Sequence, residues 1–137
     1  MRYFVIASML ALLTGCGGGG GSDLTAYLLA IARASAKEAE SRQLAVDTPC
    51  NQVSQCGTVS FVDPKSQCPL PIYVPYSLVS PTATAGKAAA DQQRELAALA
   101  RALSQQPLVP CPAIMTIAPN LACVASKCQA APLTPTQ

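Results

Sequence analysis

Histidine and tryptophan are missing from these 137 residues, and the only aromatic side chains are two Phe and four Tyr. Without histidine there is no Ser-His or Cys-His nucleophile pair, no His-containing zinc site, and no imidazole general base. So few large rings allow only a small core, and a chain of this size buries a modest fraction of its surface. Charge is also sparse: nine Lys and Arg against seven Asp and Glu, a formal +2. Loss of Arg2 with a leader peptide would lower it by one. Such a surface has no electrostatic footprint for nucleic acid or for strong attraction to anionic lipid. Asp23, Glu38, Glu40, Asp47, Asp63, Asp91 and Glu95 fall on expected helix surfaces or in turns, so no two share the apolar setting that would shift a pKa. Neither an enzyme nor a cofactor is expected. No Cys-x2-Cys spacing occurs, and the five glycines at 17–21 lack the Lys-Ser/Thr ending of a phosphate loop.

What the chain does contain begins with a leader. Met1-Arg2 is a short positive segment, and residues 4–13 (FVIASMLALL) form an apolar stretch of signal-peptide length, too short for a permanent bilayer span. It ends in Leu13-Thr14-Gly15-Cys16, which resembles the lipobox of bacterial lipoproteins. The resemblance implies cleavage between Gly15 and Cys16, with lipid on the Cys16 thiol and the membrane as the first partner. The location it implies is the cell envelope. Gly17 beside Cys16 is not the aspartate associated with inner-membrane retention, which points to the outer membrane, facing the periplasm or the cell surface.

Seven cysteines are present. With Cys16 taken by lipid, Cys50, Cys56, Cys68, Cys111, Cys123 and Cys128 are an even set suited to three disulfides in an oxidising compartment. Six cysteines allow fifteen pairings. The preferred one is local: Cys50–Cys56, Cys123–Cys128, and Cys68–Cys111 across a helix.

The fold class expected is α+β: an N-terminal helix on a flexible tether, followed by a small disulfide-bonded domain with a few short strands and one helix. The divisions are a signal peptide at 1–15, a lipidated Gly-rich tether at 16–23, a helix at 24–46, the disulfide-bonded domain at 48–129, and a disordered tail at 130–137. Ser22 and Asp23 are candidate N-caps for the first helix. Its apolar stripe is Leu24, Tyr27, Leu28 and Ile31, which thins to Ser35, Glu38 and Arg42. That leaves an apolar face only in the first two turns, and the helix could pack on its own domain, on the membrane or on a partner. Residues 57–62 read as a strand and residues 63–66 as a turn, followed by a proline-bearing edge strand or polyproline segment. A second helix is expected over 87–104 with Leu96, Leu99 and Leu103 buried and Ala89 and Gln92 continuing that face. Residues 114–117 read as a strand and 121–127 as a short strand or hairpin.

Several landmarks recur in one order: Cys50, then Cys56-Gly57-Thr58-Val59, then Cys68-Pro69-Leu70-Pro71-Ile72-Tyr73-Val74-Pro75-Tyr76-Ser77, a Leu-rich helix, Cys111, and Cys123-Val124-Ala125-Ser126-Lys127-Cys128. Over residues 50–129 this resembles a group of small cysteine-rich secreted proteobacterial proteins with a closing Cys-x4-Cys. It departs from them where Pro69-Leu70-Pro71 stands in place of Gly-Gly-Pro. The resemblance implies a fold and a location and lends no catalytic residues. Ile72, Tyr73, Pro75 and Tyr76 are the candidate interaction surface, since tyrosines among prolines are rigid and amphipathic. The competing reading is that the tyrosines fill an aromatic-poor core. The function expected is that of a non-catalytic envelope lipoprotein that binds or supports an unknown envelope protein. An inhibitor or immunity-type lipoprotein facing an extracellular enzyme or toxin is the alternative, and a lipoprotein enzyme the remote one.

Overall fold

The computed structural model describes residues 21–107, 109–114 and 116–132. It is a mixed α+β fold: α1 (Gly21–Leu44), a 3-10 turn (Val53–Gln55), β1 (Cys56–Phe61), β2 (Ile72–Ser77), α2 (Ala83–Leu103), β3 (Leu121–Val124) and β4 (Lys127–Ala130). β1 pairs antiparallel with β2, and β3 with β4, as two separate two-stranded ladders.

The two helices pack on each other through small residues. On α1 the buried positions are Ala30, Ala34 and Ser41, followed by Ala45 just past its end. On α2 they are Ala83, Gly86, Ala89, Ala90, Gln93, Ala97 and Ala100. Positions 86, 90, 93, 97 and 100 alternate steps of four and three, the spacing that keeps one seam facing a partner helix. The helices are antiparallel: Ser41 Oγ donates to Gly86 O at 2.7 Å, and Thr82 Oγ1 donates to Leu44 O at 2.6 Å. At that end the backbones nearly touch. A Cβ on Gly86 would lie 2.6 Å from Ala45 N, so only glycine fits.

This packing corrects the expected faces of both helices. Leu24 and Leu28, meant to anchor α1, are 59% and 55% exposed. Tyr27 and Ile31 are half-buried, and the polar continuation expected at Ser35 lies one position from the buried Ala34. On α2 Ala89 is buried, Leu96 and Leu103 are half-buried, and Leu99 and Gln92 are exposed. The apolar stripes were drawn through the large side chains, whereas the contact runs through the alanines, where two helices come closest. α1 also starts earlier than expected, so Ser22 and Asp23 lie inside the helix rather than capping it, and Gly21 to Asp23 leave the tether. α1 is thus part of the packed body, not an appendage to 48–129.

The β1–β2 ladder lays Val59, Phe61, Val74 and Tyr76 against Ala45, Ala83 and Ala90. Arg42 covers this core, its guanidinium carbon 4.8 Å from the Phe61 ring centroid, while it pairs with Glu38 at 2.7 Å. Pro75 is tolerated in β2 because amides alternate direction along a strand. Ser77 N–H, two residues on, points away from β1 to Val46 O at 2.7 Å, so the donor Pro75 lacks is one β1 never needed. Where β1 ends, α2 takes over the pairing. The fully buried Gln93 donates from Nε2 to Val62 O at 2.7 Å and accepts Val62 N–H on Oε1 at 3.3 Å, standing in for a neighbouring strand.

The expected turn at 63–66 is present, with Asp63 Oδ1 accepting Lys65 N–H at 2.9 Å and Asp63 O accepting Ser66 N–H at 3.2 Å. The expected strand at 114–117 is not: Ile114, Thr116 and Ile117 are unpaired coil, and Ile117 is 82% exposed. Ala130 and Ala131 belong to the fold rather than to the expected tail, because Ala130 pairs with Leu121 and Ala131 N–H reaches Asn120 O at 2.7 Å. Residues 133–137 lie outside the described residues.

Candidate functional site

Gly15 and Cys16, the expected cleavage and lipidation positions, lie outside the described residues, as do residues 17–20 of the tether. The six remaining cysteines form three disulfides: Cys50–Cys123, Cys56–Cys128 and Cys68–Cys111. The last is the expected pair. The local pairs Cys50–Cys56 and Cys123–Cys128 are corrected. Cys123 and Cys128 face each other across the β3–β4 ladder, and each turns to a cysteine of the 50–56 segment instead. Backbone bonds seat that segment on the hairpin: Cys128 N–H to Asp47 O at 2.8 Å and Cys50 N–H to Ser126 O at 3.1 Å. The two bridges lie side by side, with the sulfurs of Cys50, Cys56 and Cys128 within 4.8 Å of one another. As disulfides they offer no thiolate to a metal.

The four residues of the candidate interaction surface do not share a face. Ile72 and Tyr76 point to the side that carries Val74 toward the core, and Tyr73 and Pro75 to the other, because side chains alternate along β2. Tyr76 is only 3% exposed and belongs to the core. Ile72 is exposed, while Tyr73 and Pro75 are half-buried. The reading in which a tyrosine fills the core holds for Tyr76.

A different place collects polar chemistry. Where the start of α1 meets the end of α2, a cleft of about 80 Å³ is lined by Tyr27, Lys65, Ser66, Gln67, Arg101 and Ser104, among others. Three elements position these groups. α1 carries Tyr27, α2 carries Arg101 in its last turn, and the Asp63-initiated turn presents Lys65 and Ser66. The loop beyond α2 closes the cleft and is held to residue 67 by Gln67 Nε2 donating to Gln106 Oε1 at 2.6 Å and by the Cys68–Cys111 bridge. Nη1 of Arg101 is buried and has no hydrogen-bond partner among the described residues. Among the described residues no carboxylate lines the cleft. A second cleft of about 380 Å³ shares Tyr27, Ser104 and Gln106 and adds Leu24 and Leu103. Sequence reasoning missed this site because its residues come from four distant segments, and Arg101 reads in isolation as a solvated helix residue.

Asp91 is the carboxyl held below its usual range, chiefly by a hydrogen bond from Lys87 Nζ at 2.7 Å, with the charges of Lys87 and Arg94 adding to it. It is half-exposed on α2, ion-paired on both sides, and absent from the cleft lining. Among the described residues no helix is long and apolar enough to cross a membrane. No protein-family model, curated protein or solved structure matches this chain.

Proposed function

We propose that this protein is a lipid-anchored component of the bacterial cell envelope, held to the membrane through Cys16, with a binding or supporting role and no catalysis. The observation that carries the reading is the cysteine count. All six cysteines beyond the leader are bonded to one another, which leaves Cys16, at the end of an apolar signal-like segment, as the seventh. Three disulfides suit an oxidising compartment. The non-catalytic part is supported by the lack of histidine and by carboxylates engaged in surface pairs: Glu38 with Arg42, Glu40 with Lys37, and Asp91 with Lys87 and Arg94. The test is metabolic labelling with a palmitate analogue, followed by membrane fractionation. The native chain should be labelled and sediment with the envelope, whereas Cys16→Ser should be unlabelled and lose that location. Label persisting on Cys16→Ser would overturn the anchor.

A further inference from the structure

The paired clefts between the start of α1 and the end of α2 have an unusual distribution of chemistry. One end offers two cations, Lys65 and Arg101, with the hydroxyls of Tyr27, Ser66 and Ser104, and no acid. The other end is walled by Leu24 and Leu103. A buried guanidinium nitrogen without a partner loses its hydration and gains nothing in return, a cost of several kcal/mol for a charged donor in general. Among the described residues Lys37, Arg42, Lys87 and Arg94 each have a carboxylate partner within 2.7 Å. Arg101 has none. The nearby acids do not supply one. Asp63 accepts the Lys65 amide of its own turn, and Asp23 and Glu95 are exposed and outside the lining.

We propose that this cleft binds the anionic head of an amphiphile, with a phosphate-type group at Arg101 and Lys65 and the adjoining apolar part over Leu24 and Leu103. A cavity of about 80 Å³ takes one compact anionic group, not a nucleotide. A guanidinium fork suits it, since its planar donors match the oxygens of phosphate or carboxylate. The site lies at the end of α1 that continues back through residues 17–20 to Cys16. On the anchoring proposed above, and resting on it, the headgroup of an anionic phospholipid in the same bilayer is the source within reach. Five residues of chain, whatever their conformation, span at most about 18 Å. The near-neutral net charge supplies no long-range attraction, so the recognition is local to the cleft.

The experiment uses the chain from residue 16 onward carrying Cys16→Ala, which keeps every described residue and removes the lipid. Binding is followed by amide and guanidinium NMR shifts with inorganic phosphate and with short-chain phosphatidylglycerol, and by co-flotation with phosphatidylcholine vesicles with and without phosphatidylglycerol. Both soluble probes should shift Arg101 and Ser104, with phosphatidylglycerol binding more tightly. Arg101→Gln should weaken both by at least about tenfold, the loss of one charge-assisted contact. Leu24→Ser, at an exposed position, should weaken the lipid and leave phosphate unchanged. A free phosphate site alone would show equal affinity for the two probes, and that overturns the amphiphile. Shifts unaltered by Arg101→Gln, equal flotation with pure phosphatidylcholine, or no shift with any probe would also overturn it. Because the protein tested bears no lipid, failure here is separate from failure of palmitate labelling at Cys16.

Discussion

Replacing Gln93 by methionine keeps length and volume while deleting both hydrogen bonds to Val62, and so isolates what the buried amide contributes. Gln93 is 0% exposed, and its two bonds run to the N–H and C=O of Val62, the residue just past the end of β1. Each bond contributes about 1 kcal/mol net, and a buried backbone group left unpaired costs about 1–3 kcal/mol. Val62 is half-buried, so water recovers part of that penalty. The apolar side chain gains a little on transfer. Gln93→Met should therefore destabilise by about 2–4 kcal/mol, lowering the melting midpoint of a small domain by roughly 10 °C or more. Urea unfolding with disulfides intact, followed by circular dichroism, measures the free energy, and amide exchange at Val62 should accelerate. Gln93→Glu should be worse at neutral pH, since a carboxylate then faces Val62 O. Its deficit should shrink as pH falls and the carboxyl, its pKa raised by burial, recovers a proton to donate. A loss below about 0.5 kcal/mol for Gln93→Met, or unchanged exchange at Val62, would refute the idea that α2 completes the β1 edge.

Gly86→Ala normally gains about 1 kcal/mol in a helix interior, yet here the new methyl meets Ala45 backbone at 2.6 Å; net destabilisation of about 1–2 kcal/mol is expected by thermal melting, and a rise in stability would contradict the close crossing. Trypsin cuts after Arg42, Lys65, Lys87, Arg101 and Lys127, so an unreduced digest should hold peptides 43–65, 66–87, 102–127 and 128–137 in one disulfide-linked species, whereas the local pairing would release 43–65 unlinked, as mass spectrometry can read. The double change Cys56→Ala and Cys128→Ala should cost about 3 kcal/mol, because the Cys50–Cys123 bond leaves only a loop of about a dozen residues to close. The isolated segment 48–129 should lack a cooperative thermal transition that the chain from residue 16 shows, since it loses Ala45 from the core and the bonds Ser41–Gly86 and Leu44–Thr82; equal melting would return α1 to the status of an appendage.

Apart from the strand expected at 114–117, the presence and order of the helices and strands were legible because their signals are local. The Asp63-Pro64 turn, the β-branched run before it, the helix-forming runs and the prolines after residue 104 all report on their own neighbourhood. The faces were not legible, because periodicity weighs side chains by size. Leu24, Leu28 and Leu99 are large and exposed; Ala34, Ala90 and Ala97 are small and buried. An alanine at every third or fourth position reads as a good helix former, not as an interface. Gln93 was hidden for the opposite reason, as a polar residue inside the small-residue seam, and only the position of Val62 explains it. The hairpin turn carries no sequence flag either. Ala125 and Ser126 sit at φ of 50° and 62°, where Asn-Gly is usual, and the Ser126 carbonyl is engaged by Cys50. The pairing of Cys50 and Cys56 with the hairpin follows from that long-range docking, which nothing between residues 50 and 56 announces.

The make-up of the core links stability to compartment. Burying an alanine methyl contributes on the order of 0.8 kcal/mol, against about 1.5–3 kcal/mol for a leucine or phenylalanine side chain. The helix seam is mostly alanine, and Phe61 and Tyr76 are the only large aromatic side chains among the buried core residues described. Hydrophobic burial of that kind offsets little of the entropy of ordering the chain. The bridges act on the other side of the balance: Cys68–Cys111 closes 43 residues and Cys50–Cys123 closes 73, each restricting the unfolded chain by about 4 kcal/mol on the entropic account. A fold with so light a core draws a large share of its stability from these bridges and is expected to weaken where they are reduced. Small residues also set where the large ones go. A seam closed to Ala–Ala distance has no room for Leu24, Leu28 or Leu29, which are left together on the surface at the start of α1. That apolar surface adjoins the Arg101 cleft through Leu24, so the close helix packing that limits the core also places apolar and cationic groups side by side at the start of α1, the part of the fold next in sequence to the glycine run.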